Sequence, residues 1–458
     1  MEPDQIKVLF AVLFVWGLLI AACRFAVRCD GRAPADDIGI MWLIILALYG
    51  TLPSVSWLVQ GGEYSVISYQ RLFRLQPTSD DFLELMSIVV AYACGFTAVY
   101  FSLRQSIPKP NVNAHARIEN PQMMGALLFI VAYSLLTTAL RAGGYIRASE
   151  SYVDSYRAIQ ELPLGLRQVM KIAAGFDKIA QLVIVVALLQ RWPRTKPLFV
   201  LYIATLLLTY DPGGSRTAIA LALLAAGVVW HILIRPIPMR QWIGVGVMGL
   251  VAFTVLGILR GIGYWEDGNE EVSVGDGAEG VGLGELDALW ANAMQLLQGG
   301  GSRLDIPMSV RYGEFLAFIP GQLLPFEKYS LPDWYLDTFD PIFKAEGGGW
   351  EFGAVSQAVI GGGIMEAALR GAIVALLGIG LMAWYRSPTA TWWRFPLYLY
   401  LLTTGYMSIR ESTFAPLTFV VQIAIPALFL IELMAELWTQ ATRSIMSASR
   451  GPARTSDA

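Results

Sequence analysis

Charged residues are scarce in this sequence: Asp, Glu, Lys and Arg make up 15% of its 458 residues, whereas hydrophobic residues make up 55%. So little charge excludes one or two soluble domains, and the bilayer is the remaining solvent. The apolar runs are near 20 residues long and do not alternate, which favours helices over barrel strands. The predicted class is an all-α integral membrane protein.

Cysteine and histidine are also rare, with three and two residues. Three cysteines are too few for a disulfide framework. The sequence has no Cys/His metal spacing, no P-loop and no dinucleotide-binding glycine motif, so we predict no cofactor and no metal site. A net charge of −3 gives no overall basic surface, so we predict no nucleic-acid partner.

About eleven apolar runs are long enough to form transmembrane helices. They lie near residues 6–27, 38–58, 82–103, 121–140, 169–189, 197–210, 216–234, 241–260, 364–385, 395–409 and 414–437. The run at 197–210 is short, and a helix there would stop below the membrane surface or pack against protein.

Positive charge is concentrated in alternate loops, which the positive-inside rule assigns to the cytoplasm. These residues are Arg24, Arg28, Arg32, Arg104, Lys109, Arg117, Arg191, Arg194, Lys196, Arg235, Arg240, Arg386, Arg394, Arg443, Arg450 and Arg454. Membrane insertion explains them, so we expect no special role for them. An odd number of spans then predicts a periplasmic N-terminus and a cytoplasmic C-terminus.

The same topology divides the chain into four parts. Residues 1–260 hold helices one to eight with an outer loop at 141–168, residues 261–363 form a large periplasmic loop, residues 364–440 hold the last three helices, and residues 441–458 are a cytoplasmic tail. Apolar residues at helical spacing from Leu283 to Leu297 predict an amphipathic helix on the membrane surface, with packing on neighbouring spans as the alternative. A second short amphipathic helix is predicted at 315–319.

Seven arginines fall on the predicted outer side, against the charge rule. They are Arg216, Arg410, Arg141, Arg147, Arg157, Arg303 and Arg311. The planar guanidinium forms paired, charge-assisted hydrogen bonds with phosphate, so the set predicts an anion site at the outer face. The alternatives are ion pairs with Asp211 or Glu411, and snorkelling.

Outer carboxylates are candidates for a general base, which must lie within hydrogen-bond reach of a hydroxyl group. The candidates are Asp211, Glu314, Glu346, Glu351, Glu366 and Glu411. We select Glu411 and Glu366 as the candidate catalytic residues. Because Glu366 and Arg370 are four residues apart on a helix, an ordinary ion pair is the alternative.

Two charged residues, Asp177 and Lys178, fall inside the fifth predicted span, where charges are costly and are often functional. A proton or ion pathway is one interpretation, and an internal structural ion pair is another. They are the best sequence feature for a transporter of lipid-linked or anionic solutes. A non-catalytic membrane subunit of an envelope assembly is a third possibility.

Three segments in this order resemble the bacterial oligosaccharide repeat-unit polymerases, the O-antigen polymerase (Wzy-type) family. They are Gly213-Gly214-Ser215-Arg216-Thr217 at the start of a span, residues 318–328 (FIPGQLLPFEK) in the large loop, and Gly347-Gly348-Gly349-Trp350 before the glycine-containing stretch 361–371. With the topology, the resemblance covers most of the chain.

The resemblance implies a GT-C-like helical fold and a metal-independent glycosyltransferase at the periplasmic face of the bacterial inner membrane. Its reaction moves a growing glycan from undecaprenyl diphosphate to the non-reducing end of another lipid-linked repeat unit. Expected partners are undecaprenyl-diphosphate-linked oligosaccharides, membrane lipids, and the flippase and chain-length regulator of the same pathway. The related O-antigen ligases use an outer-loop histidine that this chain lacks, so polymerase is favoured over a ligase-like transferase.

Overall fold

The computed structural model describes residues 2–61, 77–109, 117–143, 162–208, 216–249, 285–319, 323–325, 330–339, 341, 352–387 and 391–449. These ranges are helical and contain no β-strand, which confirms the all-α class. The main helices are α1 (Pro3–Asp30), α2 (Ile38–Val59), α3 (Ser79–Leu103), α4 (Asn120–Ala142), α5 (Leu164–Gln190), α6 (Lys196–Leu208), α7 (Arg216–Leu233), α8 (Glu285–Gln298), α9 (Leu331–Phe339), α10 (Ala354–Ile360), α11 (Gly363–Arg386), α12 (Arg394–Thr404), α13 (Ala415–Phe419) and α14 (Ile425–Ser449).

Seven helical segments in the described part are long and apolar enough to cross a membrane. They are Pro3–Asp30, Ile38–Val59, Ser79–Ser106, Asn120–Leu140, Gly165–Gln190, Gly363–Arg386 and Ala415–Ser444. The last joins α13 to α14 through a π-helical turn at Val420–Ala424, and we call it the final span. The protein is therefore a multi-pass membrane protein.

Each of the other four predicted runs also contains helix. Shorter apolar helices occupy Lys196–Thr205 and Ala222–Leu233, α12 is 11 residues long, and residues 239–249 are helical at the start of the eighth run. The count of eleven crossings and the GT-C-like arrangement remain predictions, because the length and composition of these helices do not establish them as spans.

Helices α3 and α11 pack closely against each other, because two glycines allow their backbones to touch. A Cβ atom on Gly371 would come within 2.1 Å of the Tyr92 carbonyl oxygen, and one on Gly95 within 2.0 Å of the Ala368 carbonyl oxygen. Small residues permit this close approach between membrane helices, where dispersion contacts replace the hydrophobic effect. The contact fixes the position of Arg370, the neighbour of Gly371.

Helix α8 of the large loop is buried among the spans. The Trp290 ring stacks on Phe82 of α3 at a centroid distance of 5.5 Å, and its indole N–H donates to the Tyr49 carbonyl of α2. Residues 289–294 are all buried, so apolar and polar sides alike face protein. The prediction of a helix lying on the membrane surface is therefore wrong, and its alternative, packing on neighbouring spans, is confirmed.

Helix α11 has a charged cluster at each end, and we name the two ends of the bundle the Arg370 end and the Arg386 end. At the latter, Arg386 pairs with Asp30 at 2.9 Å and with Asp36 at 3.3 Å. Arg104 pairs with Asp30 at 2.5 Å and with Asp37 at 2.9 Å.

This cluster corrects one expectation from the sequence. In the sequence, membrane insertion alone accounts for Arg104 and Arg386. In the structure each of these side chains is ion-paired and only 1% exposed, so each also has a structural role. Arg32 also joins the cluster, through Asp36 at 2.7 Å. Because the carboxylates come from the end of α1 and the turn before α2, the arginines tie these segments to α3 and α11.

Candidate functional site

A buried guanidinium, that of Arg370, organises the Arg370 end of the bundle. Its Nε and Nη2 donate to one carboxylate oxygen of Glu366 at 2.8 and 2.6 Å. Nη2 also donates to Glu314 at 2.6 Å, and Nη1 donates to the Gln357 side-chain oxygen at 2.9 Å and to the Thr413 hydroxyl at 2.7 Å. All five N–H groups of the arginine are therefore used.

The four partners of Arg370 come from four different parts of the chain. Glu366 lies one turn before it on α11, Gln357 lies on α10, Glu314 belongs to the large loop, and Thr413 precedes α13. Gln357 closes the set by donating to the second oxygen of Glu314 at 3.0 Å. We call these five residues the Arg370 cluster, and they lock the large loop onto the spans.

A glycine turn holds the Glu366 carboxylate in place. The Gly362 N–H donates to Glu366 Oε2 at 2.7 Å, and a Cβ on Gly361 would lie 1.8 Å from the same oxygen. Gly363 has φ of +59°, in the left-handed region that favours glycine. The three glycines therefore fit around the carboxylate, whose side chain stays 26% exposed.

Helix α10 contributes Gln357 to the cluster and is buried along its whole length. It starts after Gly353, whose φ is +80°, and a Cβ there would lie 3.5 and 3.6 Å from the carbonyl oxygens of Ile409 and Arg410. The short segment that carries Arg410 and Glu411 therefore lies against the start of α10. Both of these side chains are half-buried.

The end of α10 contacts the segment that carries Arg303 and Arg311. Arg311 Nη2 donates to the Ile360 carbonyl, and the Cβ position of Gly301 is 3.5 Å from the Val359 carbonyl oxygen. Arg303 is exposed and Arg311 is half-buried. Five predicted site residues thus lie on segments around α10, namely Arg303, Arg311, Glu366, Arg410 and Glu411.

The other four predicted site residues cannot be placed in this geometry. Arg147 and Arg157 lie outside the described residues. Arg141 lies near the end of α4 and Arg216 begins α7, but their side chains are outside the described part.

Sequence reasoning missed the centre of the cluster. The i to i+4 spacing predicted an ion pair between Glu366 and Arg370, and the structure confirms it. It did not predict Glu314, Gln357 and Thr413 as further partners, although Glu314 was among the outer carboxylates. The available signal was an arginine inside an apolar run, where a charge requires specific partners.

Two buried hydroxyl groups near the cluster have no hydrogen-bond partner among the described residues, those of Tyr92 and Ser356. Tyr92 is fully buried and interacts electrostatically with Arg370 and Glu314, while Ser356 precedes Gln357. One arginine and two glutamates give the cluster a formal charge of −1. Such carboxylate, amide and hydroxyl groups suit a ligand rich in hydroxyls, and the arginines around α10 suit an anion.

The charged pair in the fifth predicted span lies at the middle of α5. The Asp177 carboxylate accepts a hydrogen bond from the Gln181 amide at 2.6 Å, and both Asp177 and Lys178 are half-buried. In the described part of the chain, no three His, Cys, Asp or Glu side chains lie close enough together to hold a metal ion.

Comparison of the chain with protein-family models, with curated proteins and with solved structures finds no match.

Proposed function

We propose that the protein is a polymerase of undecaprenyl-diphosphate-linked oligosaccharide repeat units at the periplasmic face of the bacterial inner membrane. It would transfer the growing glycan from its lipid diphosphate to the non-reducing end of another lipid-linked unit. Under this proposal the Arg370 end of the bundle faces the periplasm. The proposal combines the sequence resemblance with the geometry around α10.

The observation that carries the proposal is the pairing of two chemistries at one end of the bundle. The Arg370 cluster offers buried carboxylate, amide and hydroxyl groups, while the start of α11 beside it exposes Ile364 by 52% and Met365 by 79%. A lipid-linked sugar diphosphate needs both, because its hydrocarbon tail remains in the bilayer while its sugars and diphosphate react at the surface.

The arginines around α10 have a role in this reaction. The leaving group is a lipid diphosphate, and its developing negative charge is stabilised by cations already in position. Arg410, Arg303 and Arg311 are the described candidates, with Arg216, Arg141, Arg147 and Arg157 as further predicted members. Arg370 is a positioning residue in this scheme, since its five donors are engaged within the protein.

Glu411 and Glu366 are the candidate bases for the acceptor hydroxyl. The base must approach the hydroxyl to hydrogen-bond distance and accept its proton as the new glycosidic bond forms. Glu366 has an exposed edge and a fixed orientation, whereas Glu411 adjoins Arg410 on the short segment beside α10. The proton would pass to the carboxylate, and the bond from the donor sugar to the diphosphate oxygen would break.

Purified protein in liposomes with lipid-linked repeat units tests this proposal. The wild-type protein should produce a ladder of glycans. Arg410→Ala should lower its rate at least tenfold. Of Glu411→Gln and Glu366→Gln, the variant that removes the base should lower the rate by at least the same factor. Arg443→Ala, at an exposed position on the final span, is the matched control and should retain the wild-type rate. The absence of a ladder with every repeat unit tried would reject the polymerase.

A transporter of lipid-linked or anionic solutes is the second candidate, and Asp177 supports it. A carboxylate at the middle of a spanning helix, hydrogen-bonded to Gln181, is typical of ion pathways through membranes. The same liposomes distinguish the two. A transporter would move the lipid-linked unit between leaflets without lengthening it, and Asp177→Asn would slow that movement.

A further inference from the structure

Part of the large loop exposes apolar side chains. Met308 is exposed by 67%, Tyr312 by 50%, Phe315 by 48% and Leu323 by 74%. The Tyr312 and Phe315 rings stack at a centroid distance of 6.2 Å, so these two exposed rings form one surface. An apolar patch of this kind on a loop indicates contact with another apolar phase.

The same part of the loop is hydrogen-bonded to two spans at positions some way along each helix and not at its end. Glu314 is bound by Arg370 at 2.6 Å, and Arg370 is seven residues after Gly363, where α11 begins. At 1.5 Å per residue, this is about 10 Å along the helix from its first residue. The attachment of Glu314 therefore draws the loop toward the membrane interior.

The second attachment is made by the final span. The Gln422 amide donates to the carbonyl oxygens of both Ala317 and Phe318, at 3.2 Å each. Gln422 is seven residues after Ala415, again about 10 Å from the start of its helix. It lies in the π-helical turn Val420–Ala424, a local irregularity that is frequent at functional positions.

These contacts are what an irregular segment needs in a bilayer. Hydrocarbon offers no water to backbone groups, so non-helical backbone at membrane depth must be bonded to protein. Gln422 satisfies two carbonyls, and the N–H groups of Phe315, Ala317 and Ile319 donate to the carbonyls of Tyr312, Glu314 and Leu316 within the segment. The exposed side chains of residues 312–319 are the aromatic rings of Tyr312 and Phe315.

The two helices that hold the segment also expose apolar side chains of their own. Next to Arg370, α11 exposes Leu369 by 61%. Next to Gln422, the final span exposes Val421 by 40% and Ile425 by 53%. In a multi-pass protein, exposed apolar side chains on spanning helices face acyl chains, so both helices that hold the segment also have lipid-facing positions.

We propose that residues 312–319 form a re-entrant segment, embedded in the lipid leaflet at the Arg370 end between α11 and the final span. The rings of Tyr312 and Phe315 contact the acyl chains of membrane lipids. Arg370 and Gln422 hold the segment from the protein side. The proposal concerns lipid contact alone and does not depend on the polymerase.

Spin labels in proteoliposomes of phosphatidylethanolamine and phosphatidylglycerol test the proposal. Cys23, Cys29 and Cys94 are first replaced by alanine, and a nitroxide is attached at Phe315→Cys. Its relaxation is measured with oxygen, which concentrates in hydrocarbon, and with a water-soluble nickel chelate. Leu369→Cys provides the lipid-facing control, and Asp305→Cys, exposed on the same loop, provides the aqueous control.

The label at Phe315 should respond to oxygen as the label at Leu369 does, and to the nickel chelate several-fold less than the label at Asp305. A response like that at Asp305 would overturn the proposal. Protection from both reagents would also overturn it, since protein, such as a second copy of the chain, would then cover the patch. Tyr312→Cys repeats the measurement at a second exposed position of the patch, because the Phe315 ring also lies against Phe414.

Discussion

The Nη2 atom of Arg370 donates to a carboxylate oxygen of Glu314 and to one of Glu366, at 2.6 Å in each case. Glu314 belongs to the large loop, whereas Glu366 lies on the same helix as the arginine. One guanidinium therefore joins the loop to the bundle, and the proposed site depends on that joint.

We expect Arg370→Ala to destabilise the protein strongly, because it leaves two carboxylates without their cation. Removing one partner of a buried ion pair costs about 3 to 5 kcal/mol. Glu366→Gln should cost much less than Arg370→Ala. The Glu366 side chain is 26% exposed, and the more deeply buried Glu314, which is 3% exposed, keeps its bond to Arg370 in this variant. The measurement is the thermal midpoint of the detergent-solubilised protein, followed by size-exclusion chromatography.

Arg370→Lys is the informative control for this prediction. Lysine keeps the charge but has three donors on one atom, so it cannot reproduce the five bonds of the guanidinium. An intermediate midpoint is expected. Equal midpoints for wild type, lysine and alanine variants would contradict a structural role for the cluster.

Gly371→Ala should separate α3 from α11, because the added Cβ would lie 2.1 Å from the Tyr92 carbonyl oxygen. No side-chain rotation relieves a contact with backbone, so the helices must move apart. Gly380→Ala on the same helix is the matched control, since its Cβ would meet no atom within 4 Å. A lower thermal midpoint is expected for the first variant and an unchanged or slightly higher one for the second, since alanine favours helix by about 1 kcal/mol.

The helices could be predicted because their signal is local. Each apolar run predicted from the sequence contains helix in the described residues, and the pair Glu366 and Arg370 followed from helical spacing. The rest of the cluster could not be predicted in this way. Glu314 and Thr413 are 56 and 43 residues from Arg370 in the chain, and only tertiary packing brings them together.

Helix α8 shows a different limit of the sequence. The spacing of Leu289, Trp290, Ala293 and Met294 correctly indicated a helix, but it could not distinguish lipid from protein as the apolar partner. Asn292, which is fully buried, distinguishes the two environments in the structure because its side-chain oxygen accepts a hydrogen bond from the Tyr335 hydroxyl.

Arg386→Ala should lower stability as strongly as Arg370→Ala, although membrane insertion alone would explain this residue. The substitution leaves Asp30 and Asp36 with fewer cations in a site where the Arg386 side chain is 1% exposed. Arg443→Ala removes an exposed arginine that belongs to the same predicted side. If insertion were the only function of Arg386, the two variants would have the same thermal midpoint and the same topology.

Gln422→Leu should release the loop segment at 312–319 from the final span while leaving the span itself in place. The substitution removes both hydrogen bonds to the Ala317 and Phe318 carbonyls, each contributing roughly 1 kcal/mol, so the segment should open about tenfold more often or more. Hydrogen exchange followed by mass spectrometry measures this opening at the amides of Ala317 and Ile319. Gln440→Leu, an exposed glutamine farther along the same span, should leave exchange in the loop unchanged. Unaltered exchange in Gln422→Leu would contradict this role of Gln422 and would assign the segment's attachment to contacts such as those of Glu314 and Phe315.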